Sequence, residues 1–172
     1  MPVFDSTNFE NKGNTDNDIH LNNAEDVCES IINLSSTALR NIKIFTPDLE
    51  QQLYNCDYFR KNILNFVRGN RHAQIQVLVS NSELAVKQGH QLIRLSQQLT
   101  SAITIKITPE EYQHPNISFM LIDQKYFIFK PNYAQPNALN SSCKFRADKL
   151  NDFFILSWEQ AKKDPCTLNL HL

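Results

Sequence analysis

The chain has 172 residues, which suits one domain, and its apolar fraction of 41% is enough for a hydrophobic core, so a chain that is disordered throughout is excluded. The formal net charge is −1, but residues 1–29 carry seven acids and one base, which leaves the remainder mildly basic at +5. No apolar run approaches the roughly 20 residues of a membrane helix. No basic start followed by an apolar run indicates a signal peptide, so we expect a cytoplasmic protein without membrane contact.

The first 22 residues are polar and acidic and show no hydrophobic periodicity. They predict a disordered acidic leader over residues 1–22, followed by a single domain over residues 23–172. The leader is either a solvated tail or a shield over a basic groove.

From residue 23 onward, helical and extended patterns alternate along the chain. Helices are expected at about 23–40, 57–68, 83–100 and 147–163. Strands are expected at about 41–47, 73–80, 102–108, 117–123 and 125–131, with an edge strand at 166–172 and a loop at 131–146. Because the alternation implies right-handed crossovers, we predict an α/β fold with a mixed, mostly parallel sheet flanked by helices, and an antiparallel hairpin at its margin.

Several common sites are excluded by residue usage. The chain has three glycines, far apart, whereas nucleotide-binding loops need clustered glycines near the phosphate. Four widely spaced cysteines give no Cys-x-x-Cys pair, and reduced thiols are expected: Cys28, Cys56, Cys143 and Cys166. We therefore predict no cofactor and no metal.

The stretch "GHQLIRLSQQLTS" places polar residues at spacings of four, three and four: His90, Arg94, Gln97 and Ser101. On a helix they form one narrow stripe, with leucines on the opposite face. The stripe is either an ordinary solvated face or a ridge that contacts anions or nucleic acid, since arginine offers a planar fork and histidine a switchable donor.

The order of elements, the strand "NISFMLID" and the closing helix with Trp158 resemble one half of the phospholipase D superfamily. That family carries His-x-Lys-x-x-x-x-Asp on this strand, with His as the nucleophile and Lys as the phosphate ligand. The family's three positions fall on Asn116, Ser118 and Asp123, so only the aspartate matches. An amide does not replace imidazole as a nucleophile, and a hydroxyl does not replace a fixed charge.

The segments "TPDLEQQLYNCDYF" and "GHQLIRLSQQLTSAITIK" are also similar to a small bacterial family of phospholipase D-like domains without an assigned activity. The resemblance implies signature positions at Asp48, Gly89, His90, Leu92 and Ser101. Asp48 follows the first strand of the domain, where open α/β sheets place ligand sites. If Asp48 approaches His90, the pair forms either a polar site or a buried contact that fixes a loop.

We therefore expect a catalytically degenerate domain that binds a ligand or partner, phosphate-bearing or nucleic acid, through Asp48, His90, Arg94 and Ser101. The alternative is a hydrolase or phosphodiesterase with a non-standard site at His90 or His114. Asp123 alternatively serves as the turn residue of the hairpin. Because full phospholipase D sites use two halves, the resemblance also implies a homodimer.

Overall fold

The computed structural model describes Phe4, Phe9 and residues 17–168, and its strands form one eight-stranded sheet in the order β1-β7-β6-β5-β2-β3-β4-β8. The strands are β1 (Ile19–Leu21), β2 (Asn41–Thr46), β3 (Gln74–Val79), β4 (Ile103–Ile107), β5 (Ser118–Ile122), β6 (Tyr126–Lys130), β7 (Ala138–Ser141) and β8 (Lys162–Lys163). The helices are α1 (Ala24–Ser35), α2 (Gln51–Tyr54), α3 (Asp57–Gly69), α4 (Glu83–Lys87), α5 (Gln91–Gln98) and α6 (Lys144–Gln160).

The predicted α/β class and the mixed, helix-flanked sheet are confirmed, but the expectation of a mostly parallel sheet is wrong. Among the described strands, only β2–β3 and β3–β4 pair in parallel, and the other five neighbouring pairs are antiparallel. Helical crossovers join β2, β3 and β4, which keeps these strands parallel. The β5–β6 hairpin and the short return to β7 reverse the chain each time, so this half of the sheet is antiparallel.

Five other boundaries differ from the sequence prediction. The helix expected over residues 147–163 begins at Lys144 and ends at Gln160, and Lys162–Lys163 form β8. The first helix ends at Ser35, and the expected helix over residues 83–100 is broken into α4 and α5. The expected loop over residues 131–146 contains β7, which pairs with both β6 and β1. The expected edge strand at 166–172 lies partly outside the described residues, and Pro165–Thr167 form a 3₁₀ turn instead.

Each face of the sheet has its own apolar core. Ile42 and Ile44 of β2 point into the core beneath α1, α3 and α5. Phe45, on the opposite face, packs with Phe119 and Phe153 beneath α6. This alternation along one strand is what a sheet covered on both faces requires.

The predicted leader lies mostly outside the described residues, and the division of the chain at residue 22 stays a prediction. Within the described part, Ile19–Leu21 already form β1 against β7. Phe9 is buried against Phe127 and Phe129. The four cysteines are free, and no helix in the described part of the chain is long and apolar enough to cross a membrane.

Candidate functional site

The loop that follows β2 carries two carboxylates at the carboxyl end of that strand. Between them, Leu49 is fully buried and adopts a φ of 66°, which is unfavourable for a residue with a branched side chain. This backbone conformation turns Leu49 into the core and leaves Asp48 and Glu50 on the wall of a cavity. Strain of this kind persists only where the surroundings hold it in place.

Glu50 is held by two side chains from neighbouring strands. The hydroxyl of Ser118 donates to Oε1 of Glu50 at 2.7 Å, and the ammonium of Lys130 donates to Oε2. Lys130 also donates to the backbone oxygen of Tyr133 at 3.2 Å. Burial raises the pKa of Glu50, although the bonds from Lys130 and Ser118 act in the opposite direction.

Asp48 is bound by the phenol of Tyr133, which donates its hydrogen to Oδ1. Burial, followed by this bond and by the charges of Asp48 and Glu50, raises the pKa of Tyr133 well above its usual value. The phenol is therefore a neutral donor at any physiological pH.

The cavity has a volume of about 460 Å³, in the range of roughly 300–1,000 Å³ that small-molecule sites occupy. Its polar wall consists of Asp48, Glu50, Gln51, Gln52, Gln88, Lys130, Tyr133 and Gln135. Its apolar wall includes Val27, Leu53, Ala85 and Pro136. The ionisable wall thus holds two carboxylates and one ammonium group.

His90 lies behind this loop and does not line the cavity. Its side chain is fully buried and caps α5, with Nδ1 accepting from the backbone N–H of Leu92 at 3.1 Å. Burial lowers the pKa of His90 to about 4, against the opposing effects of the Leu49 backbone and the Asp48 charge. The imidazole is therefore neutral, and no hydrogen bond joins it to Asp48 among the described contacts.

The predicted polar stripe does not form, because His90 is the buried N-cap of α5 and the helix ends at Gln98, before Ser101. The expected single helix is interrupted at Gly89, whose φ is +67°. Arg94 is exposed and lies over Gly89, so that a Cβ at this glycine would come within 2.6 Å of Nη2. Ser101 is exposed and follows the end of α5. Neither residue lines the cavity, and their part in ligand binding stays a prediction.

The three positions of the phospholipase D motif have different surroundings in the structure. Asn116 is exposed, and its backbone oxygen accepts from the N–H of Tyr133 at 2.6 Å. Ser118 is buried, and its hydroxyl donates to Glu50. Asp123 adopts a φ of 51° in the hairpin turn. Its carboxylate accepts from the backbone N–H groups of Leu39, Arg40 and Asn41 at 2.8, 2.7 and 2.9 Å. Asp123 therefore ties the start of β2 to the hairpin.

A family model matches residues 23–170, and its description is "Domain of unknown function (DUF7931)". The chain belongs to this family. No curated protein matches the sequence.

Solved structures similar to this DUF7931 domain show its fold. TrmBL2, an archaeal chromatin protein with a novel mode of DNA binding, superposes with a TM-score of 0.61 at 11% identity over 89% of this chain, which spans 56% of TrmBL2. NucT from Helicobacter pylori superposes with a TM-score of 0.58 at 11% identity, over 86% of this chain and 98% of NucT. Nuc from Salmonella typhimurium, a phospholipase D family member, superposes with a TM-score of 0.57 at 10% identity, over 86% of this chain and 98% of Nuc. The fold is phospholipase D-like.

Sequence reasoning about the DUF7931 domain missed Glu50, Lys130 and Tyr133. One signal was available for Lys130. A hairpin turn centred on Gln124 places Ser118 opposite Lys130, and the structure has this pairing. Glu50 and Tyr133 lie in loops, and nothing in their local sequence indicates that Glu50 meets Ser118 of β5 or that Tyr133 meets Asp48 after β2. Within the described residues, no group of three His, Cys, Asp or Glu side chains is placed to hold a metal ion.

Proposed function

We propose that this DUF7931 domain binds a small polar ligand in the cavity between the β2–α2 loop and β6, and that it does not hydrolyse phosphodiesters. One observation carries the proposal. The cross-strand pair Ser118 and Lys130, at the place of the phospholipase D motif, is bound to Glu50 beside an open cavity.

The absence of hydrolysis follows from the chemistry of the groups present. Asn116 has no nucleophilic nitrogen, since the lone pair of an amide is delocalised. The ammonium of Lys130 is neutralised by Glu50, so it is not free to bind a phosphate oxygen. His90 is buried and neutral, and its Nδ1 is already an acceptor for α5.

The charge of the cavity favours a ligand that donates hydrogen bonds. Lys130 compensates Glu50, and among the described residues Asp48 has a single neutral donor, Tyr133. A phosphate group would lie close to two carboxylates, which is unfavourable at short range. An amine or a polyol meets an acceptor-rich wall, and an ammonium group would pair with Asp48. We therefore propose an amine as the first ligand class to test.

Thermal unfolding with putrescine, and separately with inorganic phosphate, tests the ligand class. Putrescine is expected to raise the melting temperature of the wild-type chain and phosphate is not. The Asp48→Asn variant should lose the effect of putrescine, whereas Asp152→Asn, an exposed carboxylate on α6, should retain it. Stabilisation by phosphate that disappears in Lys130→Met would contradict the proposal and indicate an anion site.

Hydrolysis of bis(p-nitrophenyl) phosphate tests the enzyme alternative. The purified chain is expected to release no nitrophenol above the buffer rate. His114 is the better candidate of the alternative, since its side chain is partly exposed whereas that of His90 is fully buried. Hydrolysis that is lost in His114→Ala or His90→Asn would establish the alternative and end the proposal of a non-catalytic domain.

Nucleic acid as a partner is a second proposal. It is supported by the likeness of the fold to TrmBL2, a chromatin protein that binds DNA, and by a group of basic side chains on α3 without salt bridges among the described residues. The homodimer and the cytoplasmic location stay predictions, of which the first is tested by light scattering of the purified chain.

A further inference from the structure

Helix α3 presents a continuous polar stripe to solvent. Tyr58, Lys61, Asn65 and Arg68 recur at spacings of three, four and three, and all four side chains are exposed. The opposite face is buried in the core through Phe59, Ile63 and Phe66. At about 1.5 Å per residue, the stripe is about 15 Å long.

Helix α3 carries more basic than acidic side chains. Arg60, Lys61 and Arg68 lie on α3, and Arg71 follows it, whereas the helix carries one carboxylate, Asp57, in its first turn. None of the four basic side chains forms a salt bridge or a hydrogen bond with another described residue. These cations are therefore free to contact an external anion.

A groove of about 840 Å³ continues the stripe at the C-terminal end of α3. Arg40, Asn65, Asn70, His72 and Gln74 supply polar groups to its lining, which contains no aspartate or glutamate. Asp123 is bonded to the amides of residues 39–41, so its carboxylate is already compensated by backbone donors. The groove thus combines amide donors with one permanent cation, Arg40.

We infer that the stripe of α3 and this groove bind single-stranded nucleic acid. The inference rests on the proposal that nucleic acid is a partner, and it assigns the surface and the strand state. Arginine and lysine side chains would contact successive phosphates, and the amides of the groove would contact sugar and phosphate oxygens. Tyr58 favours a single strand, because this residue is 68% exposed, with the Lys61 ammonium 5.7 Å from the ring centroid. Unpaired bases stack on exposed aromatic rings of this kind.

Fluorescence anisotropy with a labelled oligothymidylate of about 16 nucleotides tests the surface. The Lys61→Glu/Arg68→Glu double variant is expected to bind at least about tenfold more weakly. The slope of log affinity against log salt should also fall by about 1.4, since each phosphate contact to a single strand contributes about 0.7. The matched control is Lys87→Glu/Lys149→Glu, which reverses two exposed lysines on α4 and α6 and should bind as the wild type does.

Tyr58 tests the strand state. Tyr58→Ala should weaken binding about tenfold and Tyr58→Phe should preserve it, because the ring and not the hydroxyl stacks. Tighter binding to a duplex of the same length than to the single strand would overturn the inference. If the wild type binds the oligonucleotide and Lys61→Glu/Arg68→Glu binds equally well, nucleic acid is a partner but it binds at another surface. If the wild type binds only phosphatidylserine vesicles, both the inference and the nucleic-acid proposal fail.

Discussion

Ser118 and Lys130 face each other across the β5–β6 hairpin, and both side chains donate to the carboxylate of Glu50. The resemblance to phospholipase D places a lysine at position 118. In this chain the positive charge belongs to Lys130 on the neighbouring strand β6, where it pairs with the buried carboxylate of Glu50. The ammonium of Lys130 therefore holds the loop after β2 in place, and this loop forms one wall of the cavity.

Lys130→Met tests how strongly this pair holds the site. Both side chains are less than one-tenth exposed, so removal of the ammonium leaves Glu50 buried without its charged partner. We expect a loss of about 3–5 kcal/mol in the free energy of unfolding, measured by urea titration.

The exposed pair Lys144–Asp148 on α6 provides the control for Lys130→Met. Lys144→Met should cost less than about 1 kcal/mol, because solvent screens this pair. The double variant Glu50→Gln/Lys130→Met should recover much of the loss. Equal effects of Lys130→Met and Lys144→Met would show that the Glu50 pair is not buried in solution.

Because His90 is buried, we expect the stability of the folded chain to depend on pH in the acid range. Its pKa in the folded chain is about 4, below the ordinary 6.5, so the unfolded chain binds the proton more tightly. This contribution is fully present above about pH 6.5 and is lost as the pH falls toward about 4. At about 1.4 kcal/mol per pKa unit, the loss is on the order of 3 kcal/mol. Urea titrations of the wild type across this range measure it.

His90→Asn isolates the histidine from the other acid-titrating groups. Asparagine keeps an acceptor for the N–H of Leu92 but has no proton to gain. The variant should therefore lose less stability than the wild type between about pH 6.5 and about 4. His72→Asn, at an exposed position, should behave as the wild type does. Parallel pH profiles of wild type and His90→Asn would refute a buried neutral histidine.

The sequence predicted the strands of the sheet better than their directions. Apolar runs such as residues 73–80 and 117–123 identify strands through local composition. Strand direction depends on which strands become neighbours, and β2 pairs with β5 across 71 intervening residues. β7 was missed because "ALNS" is short and half polar, and it becomes a strand through its pairing with β6 and β1.

For the site, the sequence indicated Asp48 and the altered motif but not the network that joins them. Asp48 was named from the resemblance to the small bacterial family, and its place after a strand is a local signal that agrees with it; its role in binding stays a prediction. The hairpin spacing alone pairs Ser118 with Lys130, but Glu50 meets them only after β2 has joined β5, so no spacing along the chain indicates the network. His90 and Arg94 were placed on one face because a continuous helix was assumed, whereas a new helix begins at Gln91 and its N-cap, His90, turns into the core.

Gly89→Ala tests the break between α4 and α5. The backbone at this position has a φ of +67°, and the added Cβ would meet Nη2 of Arg94 at 2.6 Å. We expect a loss of more than about 1 kcal/mol in unfolding free energy by urea titration. Gly69→Ala is the matched control, since a Cβ there meets nothing within 4 Å. It should be neutral or slightly stabilising, and a Gly89→Ala variant that was equally harmless would refute the break.

Asp18→Asn tests whether the chain before α1 belongs to the fold. Arg146 is fully buried, and its Nη2 lies 2.5 and 2.6 Å from the two carboxylate oxygens of Asp18. Burial raises the pKa of Asp18, but the bonds and charge of Arg146 outweigh it and lower this pKa overall. Removal of the negative charge leaves a buried guanidinium without a counterion, which we expect to cost about 3–5 kcal/mol by urea titration.

The control for Asp18→Asn is Glu29→Gln, an exposed acid on α1, which should change stability by less than about 0.5 kcal/mol. Deletion of residues 1–22 removes Asp18, strand β1 and the buried ring of Phe9 together, so it should destabilise the chain at least as much as Asp18→Asn does. A deletion variant as stable as the wild type would show that these residues form an independent leader. In that case its acidic charge, and not its contacts with β7 and α6, would be the property to test for binding.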